Sequence, residues 1–352
     1  MAISIKNEQR RGPWPCKSST SAASSMVTFA PYYVHRNVHI YERHLTRQIF
    51  AVRPTFMNDA SRVGAAPQPL SLAGGRLAAL SWGQYDAPTW LALHGWLDNA
   101  ASFTRLAPRL VSALGIRIVA IDFRGHGHSA HAPAGSDYAL WDYTHDVLDA
   151  METLGIEQAT LLAHSMGAAV SCLLAAALPE KVARLILIDG LGALNTPAQE
   201  TAGQLRKGLI AHRRPPSRAP RYLDIESAVA ARVAGGVTPL DSITATPLVE
   251  RNTQATADGK VQMRTDSRLL KPSLVRFTPQ QVLAVLAEIQ APVLLIEGEQ
   301  GILGERAWAA QARQAVPRLT RHVLAGGHHL HLEPQAVERV AEVICLEGCT
   351  AS

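Results

Sequence analysis

The sequence predicts an α/β fold: a mostly parallel central sheet flanked by helices on both faces, with a helical cap inserted between two consecutive strands. Three observations carry this. From Leu70 onward short apolar runs alternate with longer helical patterns. The runs are apolar throughout, as strands covered on both faces must be, rather than alternating as half-exposed strands do. One late interval of about a hundred residues breaks the rhythm and carries no buried-strand signature, which is how an insertion between sheet strands reads.

Taken in order, residues 1–66 come first and show no period. They mix Arg, Ser, Pro and aromatics and lack the apolar core of a secretory signal. This basic leader reads as disordered, or as sequence upstream of a start at Met57; an Arg- and Ser-rich organellar transit peptide is the alternative. It also explains the charge. The chain of 352 residues has a formal net charge of +5. Residues 1–56, however, hold Lys6, Arg10, Arg11, Lys17, Arg36, Arg43, Arg47 and Arg53 against only Glu8 and Glu42, so the remainder is close to neutral. The basic balance is therefore no signal for nucleic acid.

Leu70–Leu72 and Leu77–Trp82 are set to form a hairpin around Ala73-Gly74-Gly75-Arg76. Strand runs follow at 90–93, 116–122, 159–163, 185–188, 293–296 and 322–324, with helical patterns at 100–114, 140–154, 166–178, 305–315 and 334–345. Residues 67–190 thus form the first part of the core, 191–291 the insertion and 292–352 the second part. Inside the insertion, 225–234 and 279–289 read as helices. Its Arg206, Arg213, Arg214, Arg218 and Arg221 read mostly as a solvated face. No run is apolar for long enough to span a bilayer; the best, 165–178, is short and starts with polar groups. The four cysteines (Cys16, Cys172, Cys345, Cys349) show neither a disulfide framework nor metal spacing, with Cys172 a buried thiol on its helix. A reducing, cytoplasmic setting is the simplest expectation.

The chemistry centres on Ala163-His164-Ser165-Met166-Gly167. An apolar strand stops at one serine, small residues flank it two positions away on each side, and an apolar helix follows. That is the context in which a G-x-S-x-G-like pattern means a nucleophile elbow, although Ala163 replaces the first glycine. A serine hydroxyl needs a base to take its proton. Ala325-Gly326-Gly327-His328-His329-Leu330-His331 lies after the last strand run and before the last helix, and His328, directly after the glycine pair, is the preferred base over His329 and His331. Donors for a developing oxyanion are the backbone N–H groups of Met166, after the serine, and Trp96, in His94-Gly95-Trp96 after the first core strand. Asp98 and Asn99 read as caps of the helical pattern starting near Ala100. The sets His126-x-His128-x-x-His131 and His328-His329-x-His331 with Glu333 have the density of metal ligands. Both lie on loops without the helix-borne spacing of a metal motif, so no metal and no cofactor is expected.

His94-Gly95-Trp96-Leu97-Asp98-Asn99-Ala100, Asp122-Phe123-Arg124-Gly125-His126-Gly127-His128-Ser129, His164-Ser165-Met166-Gly167 and Gly327-His328 occur in the order of an α/β-hydrolase, and residues 70–346 resemble that superfamily throughout. Within it the chain resembles the serine hydrolase-like proteins, which share the His-Gly-Trp-Leu-Asp-Asn-Ala stretch, Ile188-Asp189-Gly190-Leu191-Gly192 and Gly327-His328-His329-Leu330-His331. The resemblance implies a Ser-His-acid triad and leaves Asp122 and Ser129 structural. It also exposes a departure. Where many members carry Gly-x-x-Asp, this chain has Gly298-Glu299-Gln300-Gly301, so the usual acid position is glycine. Two carboxylates are available: Asp189, at a strand end that some members use, and Glu299; Asp189 is placed slightly ahead. The implied activity is a serine hydrolase working through an acyl-enzyme, of carboxylesterase type on a small apolar ester. Serine at the elbow argues against chemistry that needs a carboxylate nucleophile. The alternative is a non-catalytic ligand-binding or receptor-like module on the same fold, with peroxide or carbon–carbon bond chemistry a third option.

Overall fold

The computed structural model of the chain describes residues 66–215, 217–236 and 238–349. The expectation for the basic leader falls outside them, save for Ala66. The central sheet has eight strands: β1 (Gln68–Leu72), β2 (Leu77–Trp82), β3 (Thr89–Leu93), β4 (Arg117–Ile121), β5 (Ala159–His164), β6 (Val182–Ile188), β10 (Val293–Gln300) and β11 (Leu319–Gly327), in the order β1-β2-β4-β3-β5-β6-β10-β11. The β1–β2 hairpin is antiparallel and joins β4 antiparallel; the other six strands run parallel.

Helices α1 (Leu106–Leu114), α2 (Tyr143–Leu154), α3 (Met166–Ala177), α8 (Ala307–Ala315) and α9 (Val337–Cys349) connect or follow the strands. Alternation along each strand divides the core into two layers. Leu91, Leu93, Leu161, Ala163, Leu185 and Leu187 pack with residues of α2 and α3. Ala92, Leu162, Ile186 and Ile188 pack on the other face with Leu106 and Leu110 of α1 and Val340 and Ile344 of α9. Each strand residue is thereby apolar whichever way it points, which explains the uninterrupted runs in the sequence. The pattern at 100–114 divides into a 3-10 turn over Ala100–Phe103 and α1, with Asn99 accepting from the Ala101 N–H as its cap.

The interval between β6 and β10 holds four α-helices: α4 (Thr201–His212), α5 (Ile225–Gly235), α6 (Ser242–Arg251) and α7 (Pro279–Ala287). Asp224 and Asp241 cap α5 and α6 by accepting from Ser227 and Thr244 N–H, and a reciprocal Thr278/Gln281 box starts α7. The interval is not purely helical. Antiparallel strands β7 (Arg221–Tyr222), β8 (Thr253–Ala255) and β9 (Val261–Met263) form a separate small sheet, too short and too exposed to leave an apolar run. Ala228, Val229, Leu248 and Val249 give α5 and α6 a core of their own, which reaches Leu332. No helix among the described residues is long and apolar enough to cross a membrane.

Candidate active site

Strand order reverses around β3: β4 lies on one side of it and β5 on the other. Loops leaving β3 and β5 at their C-terminal ends therefore diverge from one crevice, the usual ligand position in open parallel sheets. Ser165 stands there, between β5 and α3, at φ 50° and ψ −110°, outside the regions an L-residue ordinarily occupies. Close packing holds it in that strained turn. Its N–H donates to the Ile188 carbonyl at 3.1 Å, and a Cβ on Gly190 would meet the Ser165 backbone at 2.7–2.9 Å. A Cβ on Gly167 would lie 2.2 Å from the Leu93 carbonyl oxygen. Gly167 and Gly190 are thus demanded by close backbone approach.

β11 ends at Gly327, and Gly326 adopts φ 143°, a conformation rare for other residues. The turn is tied by Glu333, whose carboxylate accepts from the Gly327 N–H at 2.9 and 3.1 Å. His328 follows. The Ser165 hydroxyl donates to His328 Nε2 at 3.0 Å, and His328 Nδ1–H donates to Asp189 Oδ2 at 2.6 Å. Burial, aided by the neighbouring His164 ring, lowers the pKa of His328 against the pull of Asp189, which keeps the imidazole neutral and able to accept a proton. His329 and His331, the rival bases, point elsewhere. His329 Nε2–H donates to Asp98 at 3.0 Å, and His331 Nε2 lies 2.8 Å from Ser102 Oγ.

The carboxylate at the imidazole is Asp189, the residue after β6. It sits at φ 40°, is fully buried, and also accepts from Ile302 N–H at 2.8 Å and Gly298 N–H at 3.3 Å. Glu299, the alternative acid, is exposed on β10 and corrects to a solvated charge. Why position 301 is glycine also becomes plain. A Cβ there would lie 2.1 Å from Asp189 Oδ1. The carboxylate arriving from β6 fills the space that a side chain at 301 would enter, so the two acid positions exclude one another sterically.

Met166 opens α3, and its N–H is one of the helix's unpaired first-turn donors. Trp96 follows Gly95 in the loop after β3; the residue is 40% exposed and its indole N–H donates to the Leu269 carbonyl at 3.1 Å. His94 is a strut rather than a reagent: its Nε2 accepts from the Phe123 N–H at 3.0 Å and its Nδ1–H donates to the Gly95 carbonyl at 2.7 Å, joining the loops after β3 and β4. Asp122 and Ser129 are structural. Asp122 accepts from the Ala100 and His128 N–H groups at 2.7 and 2.8 Å, and Ser129 links the Asp122 carbonyl with the Ala78 N–H. His126, His128 and His131 do not converge: His126 is buried with its pKa lowered to about 3 by burial and His94, whereas His128 and His131 are exposed. Cys172 is buried, its pKa pushed up to about 12 by desolvation.

Three placements escape a reading of the sequence. Asp98 is no cap; it is buried against His164 and His329, with Arg232 of α5 3.7 Å from its other oxygen. Arg251 of α6 reaches out of the insertion to pair with Asp122 at 2.8 Å. Asn99 donates its side-chain N–H to the Leu248 carbonyl at 2.8 Å. In contrast, the five arginines Arg206, Arg213, Arg214, Arg218 and Arg221 are exposed, as the sequence reading has them. A cavity of about 320 Å³ lies beside His131, Gln254, Arg264 and Asp266, but none of Ser165, His328 and Asp189 lines it.

Comparison with known proteins bears on this arrangement. Residues 88–335 match the family model described as the alpha/beta hydrolase fold. A serine hydrolase-like protein of Dictyostelium discoideum is 32% identical over 269 residues, covering 73% of this chain and 74% of that one. Among solved structures, a hypothetical protein of Pseudomonas aeruginosa is 42% identical with a TM-score of 0.73, over 81% of this chain and all of that one (100%). The thioesterase domain from the curacin biosynthetic pathway is 27% identical with a TM-score of 0.68, over 80% of this chain and 98% of that one.

Proposed function

The chain belongs to the α/β-hydrolase family and is a hydrolase, and from that premise we propose that it cleaves small apolar esters through a covalent acyl-serine, with Ser165, His328 and Asp189 as the triad. The observation that carries this reading is the continuous relay of a hydroxyl 3.0 Å from a neutral imidazole that is 2.6 Å from a buried carboxylate. In this mechanism His328 Nε2 takes the Ser165 proton as Oγ attacks the ester carbonyl. Asp189 fixes the Nδ1–H tautomer and stabilises the imidazolium. The backbone N–H groups of Trp96 and Met166 hold the oxyanion, a geometry supported by the unpaired donor at the start of α3 and the turn at Gly95. His328 then returns the proton to the leaving alcohol. Water, deprotonated by the same nitrogen, attacks the acyl-Ser165; the acid leaves and His328 returns that proton to Ser165 Oγ.

Residues 191–291 act as the cap in this reading. Support comes from Trp96 and Asn99, in the loop beside the serine, each bonded to a carbonyl of the insertion. A panel of p-nitrophenyl esters of rising chain length tests the assignment. Short acyl chains are expected to turn over with a burst of nitrophenol, and Ser165→Ala is expected to abolish it. A folded wild-type protein that binds esters without turnover would instead mark a ligand-binding module.

A further inference from the structure

Packed against His328 lies a second group of donors that the serine chemistry does not use. Asp98 Oδ2 is 3.0 Å from His329 Nε2 and 3.5 Å from His164 Nδ1, all three side chains are buried, and one donor atom from each falls within 4.8 Å of the others. The hydrogen bonding fixes how His164 is protonated. Its Nε2 is 2.9 Å from the His328 carbonyl oxygen, which can only accept, so Nε2 carries the hydrogen. In a neutral ring Nδ1 then presents a lone pair, and it points without a hydrogen-bond partner toward a carboxylate oxygen. Two electron-rich atoms facing one another in a dry interior is a repulsive arrangement that a cation between them relieves.

We propose that Asp98 Oδ2, His164 Nδ1 and His329 Nε2 form a three-ligand site for a divalent transition metal of the zinc type, the ion taking the place of the hydrogen that His329 Nε2 donates to Asp98 and leaving that ring protonated on Nδ1, which has no hydrogen-bond partner. Zinc bonds to N and O of about 2.0–2.2 Å set tetrahedral edges of about 3.3–3.5 Å; the contacts to Asp98 Oδ2, 3.0 and 3.5 Å, lie near that range, and the widest spread of the set, up to 4.8 Å, requires the two rings to close in on the ion. A ring that ligates through one nitrogen while donating the other N–H to a backbone carbonyl is the usual support of a metal-bound histidine, and His164 already makes that second bond. Gly95 keeps a corner open: a Cβ there would stand 2.9 Å from His164 Nδ1 and 3.1 Å from Asp98 Oδ2. The donor set of two imidazoles and one carboxylate fits zinc, cobalt(II), nickel(II) or copper(II) rather than magnesium or calcium. Arg232, 3.7 Å from Asp98 Oδ1, is a competing positive charge that the ion must tolerate. The site does not rest on the ester-cleaving reading, although the His164 ring it uses also packs on His328, with ring centroids 4.5 Å apart.

The test uses the full chain, stripped with chelator, given a few equivalents of Zn²⁺ and desalted before elemental analysis. The expected result is one zinc retained per chain and a rise in Tm with zinc. Cobalt(II) in place of zinc should give the strong visible absorption of a four-coordinate ion. Asp98→Asn, His164→Gln and His329→Gln should each weaken zinc binding at least tenfold, while Ser165→Ala retains it. Arg232→Gln leaves every ligand in place and should tighten binding severalfold, which keeps the proposal testable if a ligand variant fails to fold. No retained zinc, or zinc affinity unmoved by Arg232→Gln and by the ligand variants that do fold, overturns it.

Discussion

Replacing Asp189 by Asn removes one charge from the relay with almost no change of volume. The structure says what the amide would do. Asp189 Oδ2 accepts from His328 Nδ1–H at 2.6 Å and Ile302 N–H at 2.8 Å, while Oδ1 accepts only from Gly298 N–H, at 3.3 Å. Asparagine has a single acceptor oxygen, and the two shorter bonds place it where Oδ2 now lies. The amide NH₂ then faces Gly298 N–H, the weakest of the three partners. His328 keeps its tautomer under this arrangement and loses only the charge that stabilises its protonated form. The drop in kcat should therefore be about 10³-fold, or ~4 kcal/mol, smaller than the ~10⁴-fold loss found where the substituted amide also inverts the imidazole. KM should change little. The assay is p-nitrophenyl ester hydrolysis, with circular dichroism and Tm recorded on the same preparation. Turnover within tenfold of wild type in folded Asp189→Asn would refute the role given to this carboxylate, the more so if Glu299→Gln were the slower enzyme. The steric exclusion between positions 189 and 301 extends the test. Gly301→Asp alone should be inactive or unstable, because its Cβ would lie 2.1 Å from Asp189 Oδ1. Combined with Asp189→Ala it delivers a carboxylate into the emptied space, and should recover at least tenfold over Asp189→Ala alone.

Other outcomes follow from the same contacts. Arg251→Met leaves Asp122 buried with two backbone donors but no counter-charge, and should cost about 3 kcal/mol, seen as a Tm lowered by roughly 6 °C at ~2 °C per kcal/mol. Gly190→Ala puts a methyl 2.7–2.9 Å from the Ser165 backbone. Overpacking there should destabilise by about 1–3 kcal/mol while kcat falls far more than folded fraction does, since the atoms that must yield are those of the serine itself. Glu299→Gln, at an exposed position, should leave kcat within about twofold and Tm within ~1 °C, as surface changes do.

The sheet was legible because its strands are covered on both faces: Leu161 and Leu162 face opposite layers, yet both must be apolar. Ser165 and His328 were legible because special backbone needs leave a mark, in the small residues beside one and the glycines before the other. The carboxylate at the imidazole was only half legible. Gly301 looks like a loss when read along the chain, and only the approach of Asp189 from another strand turns it into a steric requirement. Asp98 shows the opposite failure. Beside Asn99 and before a helical pattern it reads as a cap, but Asn99 takes that task and Asp98 turns inward to His164 and His329. In the insertion, arginines that bind the core and arginines that face water have the same local surroundings in sequence. Arg232 and Arg251 differ from Arg206 and Arg213 only in what the folded chain places opposite them.

The relay from Ser165 to His328 is tested most directly by labelling with an active-site-directed fluorophosphonate, followed by peptide mapping of the adduct. The account predicts one phosphonyl group per chain, on Ser165, formed at least 10²-fold more slowly in His328→Ala and absent in Ser165→Ala. A folded wild-type protein that takes no label, or that takes it on another residue with His328 irrelevant to the rate, would contradict it.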